Sequence, residues 1–252
     1  MRSKTTVQVP AVATRGIIVF PGQDVMIEVG REKSVRAVDA AEARYDAMLW
    51  VVCQNDIMVD DPQQNDLYAM GTLCKIKTVR RKEGFMRVTF TGMKRAKLVL
   101  LEETSGMLMA EVELKDDQPG DAIEEMALVK KIITAFEKIS NLSQAFPQEI
   151  IAQLSAGVSA ENLTDQFAQY FPMTITARQK LLETLPVNER MIQILAELEK
   201  QKKISEIEDT INAKVKERID EGQKEYYLRE KLKTIREELG DAGSGGDSQK
   251  IR

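Results

Sequence analysis

The sequence predicts an α+β protein, in which a small β-barrel-like domain precedes a helical bundle that ends in one long helix of the coiled-coil type. Three observations predict this fold. Strand-like apolar segments fill residues 8–115, the apolar spacing then changes to three and four residues, and residues 188–239 contain no proline. The predicted divisions are a β-rich domain (1–117), a helical subdomain (121–186), the long helix (187–240) and a flexible tail (241–252).

Five or six short strands and one helix are predicted in the β-rich domain. Residues 71–80 and 85–92 flank a turn at 81–84, and residues 97–103 and 107–114 flank Ser105-Gly106, so two hairpins are expected. Residues 31–46 are predicted to form the helix, because its apolar residues recur on one side. These residues are Val35, Val38, Ala41 and Tyr45. The arrangement is typical of a compact, partly closed barrel.

The helical subdomain begins after a linker at residues 116–120. Asp121 and Glu124 have the spacing of a capping box, and so do Thr176 and Gln179. The first helix has an apolar face of five residues with helical spacing. They are Leu128, Ile132, Ala135, Phe136 and Ile139. Further short helices are predicted at residues 147–154, 161–170 and 176–183.

A narrow apolar stripe follows one face of the long helix. Its central members are Ile204, Ile207, Ile211, Val215 and Ile219. Isolated helices with one narrow stripe are weak in water, so we expect this stripe to pack against a partner helix, as in self-association of the chain.

The composition excludes several classes of function. Histidine is absent, which excludes a Ser-His-Asp or Cys-His nucleophile and a His-ligated metal. The sequence has no phosphate-binding Gly-Lys-Ser/Thr loop and no nucleophile elbow. Cys53 and Cys74 lie far apart in apolar segments, where buried free thiols are expected. No catalytic, cofactor-binding or metal-binding residue is therefore predicted. No segment reaches the ~20 apolar residues of a membrane span, so a cytoplasmic location is expected.

A basic cluster in the first hairpin provides an alternative function. Only Glu83 opposes it nearby in the sequence, and strand alternation directs Lys75 and Lys77 away from the core. The candidate polyanion contacts are Lys75, Lys77, Arg80, Arg81, Lys82 and Arg87. The alternative hypothesis is a stand-alone module that binds nucleic acid or another polyanion through this hairpin. A third hypothesis is a purely structural coiled-coil spacer. The net charge of −4 and the scarcity of exposed aromatic residues favour a solvated surface instead.

Apolar residues at turns and edges are candidates for promiscuous apolar binding, because flexible apolar side chains suit many different partners. Six such candidates are Phe20, Pro21, Met107, Met109, Tyr226 and Tyr227. Phe20 has two interpretations, either an exposed contact or a buried anchor of its turn. For each methionine, core packing is the alternative. Two adjacent tyrosines cannot both join one narrow stripe, so at least one of them should be exposed.

Several segments form an ordered set of motifs along the chain. They are residues 15–22 (RGIIVFPG), 29–34 (VGREKS), 66–72 (DLYAMGT), 91–96 (TGMKRA), 181–185 (LLETL), 189–190 (ER) and 223–232 (QKEYYLREKL). In this order they resemble the amino-terminal region of Lon-type ATP-dependent proteases. The resemblance covers nearly the whole chain. It departs from the family at residues 13–15, where Ala-Thr-Arg replaces the usual Pro-Leu-Arg. It also departs at Gly222, which makes the helix more pliable.

The resemblance implies a PUA-like domain, a helical subdomain and a long helix leading to an AAA+ module and a Ser-Lys protease domain. Neither of these two modules is in the sequence, so no catalytic residue of the family is transferred. The parent would be a cytoplasmic homohexamer that uses Mg-ATP to degrade damaged and regulatory proteins. This chain would recognise substrates and help assembly. Its expected partners are unfolded proteins and other copies of itself, and neither a membrane nor a cofactor is expected.

Overall fold

Six strands form one mixed sheet that closes into a barrel. The computed structural model describes residues 5–139, 146 and 159–241, the last three by backbone alone. The strands are β1 (Thr6–Thr14), β2 (Asp24–Val29), β3 (Met48–Cys53), β4 (Met70–Lys82), β5 (Phe85–Thr104) and β6 (Met107–Lys115). Their order is β2-β5-β4-β3-β1-β6, and β6 also pairs with β5. That extra pairing closes β5-β4-β3-β1-β6 into a ring, with β2 attached outside it, which confirms the predicted barrel-like architecture.

Strand β5 closes the barrel because it is long enough to pair with β4 along one part and with β6 along another. Its first part pairs with β2 and β4, and its second part pairs with β6. The sequence predicted two separate strands here, at 85–92 and 97–103, whereas the structure has one strand of 20 residues. A register shift at Leu73/Cys74 in β4 lets pairing continue past Gly92. Both predicted hairpins are present, although the first turn is shorter than predicted, because Arg81 and Lys82 belong to β4.

One helix covers an open side of the barrel. Helix α1 spans Glu32–Arg44 and buries Val38 and Ala41, while Val35 and Tyr45 pack at the edge of the same core, as predicted. This core also contains apolar residues of β2, β4 and β5. On the other side, Trp50 lies in a second barrel core, where its Nε1 donates a hydrogen bond to the carbonyl of Ala96 at 3.1 Å.

The helical part builds a separate core. It comprises α2 (Ala122–Glu137), α3 (Ala160–Tyr170), α4 (Ile175–Glu183) and the first turns of α5 (Val187–Asp241). Phe136, Phe146 and Phe167 meet there at ring-centroid distances of 4.7 to 5.5 Å, and the apolar face predicted for α2 lines this core. The helix predicted at 147–154 lies outside the described residues.

The helix caps match the sequence only in part. Asp121 caps α2 by accepting hydrogen bonds from the backbone N–H groups of Ile123 and Glu124. The reciprocal bond of a capping box is missing, since Glu124 accepts from Asn188 instead. The cap predicted at Thr176 is wrong. Thr174 caps α4, since its hydroxyl oxygen accepts from the Ala177 N–H. The Gln179 side chain is buried and donates to the carbonyl of Met70.

The chain divides into two compact units, Met1–Lys200 and Gln201–Arg252. Helix α5 is continuous through Gly222, where an added Cβ would meet no atom within 4 Å. The helix ends at Asp241, so Gly240 lies inside it rather than beyond its end. The finer domain limits given by the sequence remain a prediction.

Candidate functional site

The turn at residues 19–23 is locked against the barrel. The Gly22 N–H donates to the carbonyl of Gly92 at 2.8 Å, and the Gly92 N–H donates to the carbonyl of Gln23 at 2.8 Å. A Cβ at position 92 would lie 2.1 Å from the Phe20 carbonyl oxygen, so only glycine fits there. Phe20 is 1% exposed and belongs to the core of the helical part. The prediction that Phe20 is exposed is wrong, and the buried-anchor interpretation is confirmed. Pro21 beside it is half-buried.

The two methionines of β6 are also core residues. Met107 and Met109 are 6% and 5% exposed and pack against α1, while Leu108 between them faces the other barrel core. Both faces of β6 are thus covered, which strand alternation alone does not reveal. The prediction that Met107 and Met109 are exposed is wrong. Among the residues that the structure describes, the exposed methionines are Met26, Met58, Met93 and Met126.

Glu83 is not the only acidic residue near the basic hairpin. Lys77 pairs with Asp24 at 2.6 Å, and Arg87 pairs with Glu28 at 2.9 Å. Arg81 contacts two carboxylates of α1, at 2.7 and 3.1 Å. The expectation of little opposing charge is therefore wrong, because the fold places carboxylates of β2 and α1 beside the hairpin. The remaining three candidates, Lys75, Arg80 and Lys82, are exposed.

A buried network of four charged side chains joins the barrel to the helices. Arg95 of β5, which is 1% exposed, makes two parallel bonds to Asp165 of α3, at 2.5 and 3.1 Å. Asp117 accepts from Arg95 at 3.0 Å and from Arg190 of α5 at 2.5 Å. Burial raises the pKa of Asp165, and the charges of Arg95 and Arg190 act against that rise. The two positive and two negative charges balance.

This network was not predicted from the sequence. Asp117 lies in the segment that was predicted to be a linker, and Arg95 was not among the predicted site residues. Nothing in the local pattern distinguishes Arg95 from Lys94, which pairs with Asp116 at the surface. The partners Asp165 and Arg190 lie 70 and 73 positions from Arg95 and Asp117, so only the tertiary fold reveals them.

The described side chains of α5 within the second unit are exposed almost throughout. The apolar stripe predicted for self-association, Ile204, Ile207, Ile211, Val215 and Ile219, is exposed along its whole length. Tyr226 and Tyr227 are 69% and 61% exposed, which confirms that at least one of them lies outside a packed core. Self-association through the stripe remains a prediction.

An open groove of about 400 Å³ lies in the first unit between the end of β1 and β2. Apolar side chains of Val12, Ile27 and Val29 line it, and Ile17 lies at its surface. Arg15 and Arg31 line the same groove. None of these residues was predicted to form a site. The only sequence indication was that residues 15–22 and 29–34, which belong to the motifs quoted above, supply much of the lining.

The cysteines are buried and free, as predicted. Burial raises the pKa of both the Cys53 and the Cys74 thiols, which disfavours the reactive thiolate. Within residues 5–139, 146 and 159–241, no group of three or more potential ligand side chains is placed to hold a metal ion.

Comparison with known proteins identifies the family. The family model described as the ATP-dependent protease La (LON) substrate-binding domain matches residues 8–200. The chain belongs to this Lon substrate-binding family. The match covers the barrel, the groove, the charged network and the helical core, and it ends where the first compact unit ends.

Relatives and solved structures agree with this assignment. Lon protease 1 of Bacillus subtilis is 31% identical over 96% of the chain, and Lon protease of Escherichia coli is 30% identical over 96%. The chain spans about a third of the length of these Lon relatives, at 32% and 31% respectively. The N-terminal domain of a Mycobacterium avium complex Lon protease has the same fold, with a TM-score of 0.64 and 22% identity over 77% of this chain and 98% of that one. Among the described residues, no helix is long and apolar enough to cross a membrane.

Proposed function

We propose that the chain is the substrate-recognition and assembly region of a Lon-type ATP-dependent protease, and that it binds unfolded polypeptide without catalysing a reaction. The observation that carries this proposal is the match of a substrate-binding family model to residues 8–200. The parent would be a cytoplasmic homohexamer with an AAA+ module and a serine protease domain. Mg-ATP would bind to that AAA+ module and not to this fragment.

The surface of the first unit supports polypeptide binding. Several large apolar side chains are exposed on different elements rather than in one shaped pocket. These side chains belong to Ile17, Met26, Ile57, Met58, Met93, Val99 and Leu100, and the three methionines among them lie outside the α-helices. Flexible thioethers and scattered apolar side chains can adapt to many sequences, as a promiscuous receptor requires. The charged hairpin gives less support to polyanion binding, because three of its six cations already pair with carboxylates.

Binding should resist salt. A fluorescently labelled unfolded protein should bind with similar affinity at ~0.1 and ~0.5 M salt, because apolar contacts are not screened. Binding to several phosphates would instead weaken steeply with salt concentration. The measurement is a fluorescence anisotropy titration at both salt concentrations, with a labelled single-stranded oligonucleotide as the comparison ligand. Loss of polypeptide binding at high salt, together with tight oligonucleotide binding at low salt, would favour the polyanion alternative.

The purified chain should neither hydrolyse ATP nor cleave casein-like proteins. The sequence contains no phosphate-binding loop and no histidine for a Ser-His or Cys-His nucleophile, and it includes neither the AAA+ module nor the Ser-Lys protease domain that the resemblance implies for the parent. The measurement is phosphate release and peptide release against a buffer blank. Turnover that co-purifies with this chain and scales with its concentration would contradict the proposal.

The stripe on α5 should drive weak, concentration-dependent self-association. Burial of one isoleucine contributes roughly 1.5–3 kcal/mol, so Ile211→Asp with Ile219→Asp should leave a monomer. As the control, Ala213→Asp adds a charge on the opposite face of the helix and should leave association intact, whereas the matched single change Ile211→Asp should weaken it. Sedimentation velocity over a concentration series measures both. If the stripe variant associates as the wild type does, another surface makes the contact.

A further inference from the structure

Strand β2 has one edge without a strand partner. Among the described strands it pairs only with β5, so the backbone N–H and C=O groups of its other edge are available for a further strand. Four consecutive residues from Ile27 to Gly30 line the groove, opposite the end of β1. An extended polypeptide segment can add to such an edge through backbone hydrogen bonds, which are independent of sequence.

The floor of the groove is apolar and its rim is charged. Val12, Ile27 and Val29 lie in the barrel core and form the floor, so the groove can accept apolar side chains of an added strand. The volume of about 400 Å³ falls within the range of ligand pockets, ~300–1,000 Å³. Apolar contacts explain affinity for unfolded chains in general. The charged side chains at the rim can favour some polypeptide sequences over others.

Arg31 is an unpaired cation on that rim. Its Nη1 is buried and has no hydrogen-bond partner among the described residues. The carboxylates around it already have partners, since Asp60 pairs with Arg15 and Asp61 pairs with Lys33 at 2.6 Å. Glu28, which also lines the groove, pairs with Arg87 at 2.9 Å. A buried guanidinium donor without a partner is costly, so a ligand that accepts from it gains that energy.

Two arginines, Arg15 and Arg31, line this part of the groove. Burial lowers the pKa of Arg31 and the nearby charge of Arg15 lowers it further, while the charges of Asp60 and Asp61 act in the opposite direction. Ser34, in the first turn of α1, lines the same groove, so the positive end of the helix dipole lies there too. A carboxylate is the group in polypeptides that matches a guanidinium in both charge and geometry.

We propose that the groove between β1 and β2 binds an extended segment of unfolded polypeptide in which an aspartate or glutamate flanked by apolar residues pairs with Arg31. The segment lies along the free edge of β2, its apolar side chains enter the groove, and its side-chain carboxylate accepts from the Arg31 guanidinium. This inference rests on the proposed function and specifies the class of sequence that the chain prefers.

The test uses short peptides acetylated and amidated at their ends, which differ only in a central Val-Glu-Val or Val-Gln-Val. At low salt the Glu peptide should bind about tenfold more tightly than the Gln peptide, which corresponds to about 1.4 kcal/mol, because its carboxylate accepts a charge-assisted hydrogen bond from Arg31. Arg31→Gln should abolish this preference, and Arg31→Lys should reduce it, because lysine cannot make two parallel bonds. The matched control, Arg44→Gln, changes an exposed arginine at the other end of α1 and should keep the full preference.

Each contrary result has a distinct meaning. Equal binding of the two peptides to the wild type, or a preference that persists in folded Arg31→Gln, would overturn the inference while leaving the proposed function intact. A third peptide, Val-Gln-Val with a free terminal carboxylate, should bind as weakly as the amidated Gln peptide. If it matches the Glu peptide, the chain terminus is the ligand and the inference fails. If neither the peptides nor an unfolded protein bind, the proposed function fails as well.

Discussion

Asp165→Asn should lower the free energy of unfolding by about 3–5 kcal/mol, because it leaves the buried Arg95 guanidinium without its charged partner. Arg95 has only Asp117 as a remaining carboxylate contact, and Asp117 is already shared with Arg190. Folded domains are stable by only ~5–15 kcal/mol, so this single change should remove a large part of the total. The measurement is urea unfolding followed by the fluorescence of Trp50, the single tryptophan, which is fully buried in the barrel.

The control is an exposed carboxylate with an equivalent substitution. Asp39→Asn breaks one of the two contacts that Arg81 makes on the surface, and it should cost no more than about 1 kcal/mol. A double change, Arg95→Met with Asp165→Leu, should cost less than the sum of its two single changes, because neither charge is left unpaired. If Asp165→Asn is as mild as Asp39→Asn, the network does not hold the barrel and helices together.

Phe20→Ala should cost about 3–5 kcal/mol of stability, the range for removing a buried phenylalanine side chain. The side chain belongs to the helical core although its turn belongs to the barrel, so its loss opens a cavity where the two parts meet. The Trp50 fluorescence and the far-UV circular dichroism should both report the loss in a urea titration. Phe85→Ala, at the partly exposed hairpin turn, should cost about 1 kcal/mol or less.

The Phe20→Ala variant also tests whether Phe20 is a buried anchor of its turn or a contact for the bound polypeptide. Under conditions in which Phe20→Ala remains folded, it should bind unfolded polypeptide as the wild type does, because a buried side chain touches no ligand. Weaker binding by the fully folded variant would show that the turn opens during recognition. It would restore the exposed-contact interpretation given by the sequence.

The sequence predicted local structure well because local patterns encode it. The alternation in β2, the helical spacing in α1 and α2, and the glycines at the two hairpin turns each need only neighbouring residues to be interpreted. The same kind of pattern located the apolar stripe on α5, whose packing against a partner helix remains a prediction. Resemblance in several ordered segments supplied the family, which periodicity and composition could not supply.

The candidate site was predicted poorly because burial depends on what packs on the second face of a strand. Met107 and Met109 satisfy any local criterion for an adaptable surface, yet α1 covers them. Arg95 resembles a surface cation until α3 places Asp165 against it. The groove is lined by segments of β1 and β2 together with the start of α1. Arg31 lacks an ion pair there because Asp60 pairs with Arg15 and Asp61 pairs with Lys33. Such relations exist only in the folded protein.

The most direct test of the account compares two states of one ligand protein. A disulfide-bonded globular protein is labelled and titrated with the chain, once in its native form and once after reduction and carbamidomethylation, which keep it unfolded without adding charge. We expect micromolar binding of the unfolded form and at least about tenfold weaker binding of the native form, because only the unfolded chain offers extended apolar segments. Equal affinity for both forms, or no binding of either, would contradict a role in recognising unfolded polypeptide.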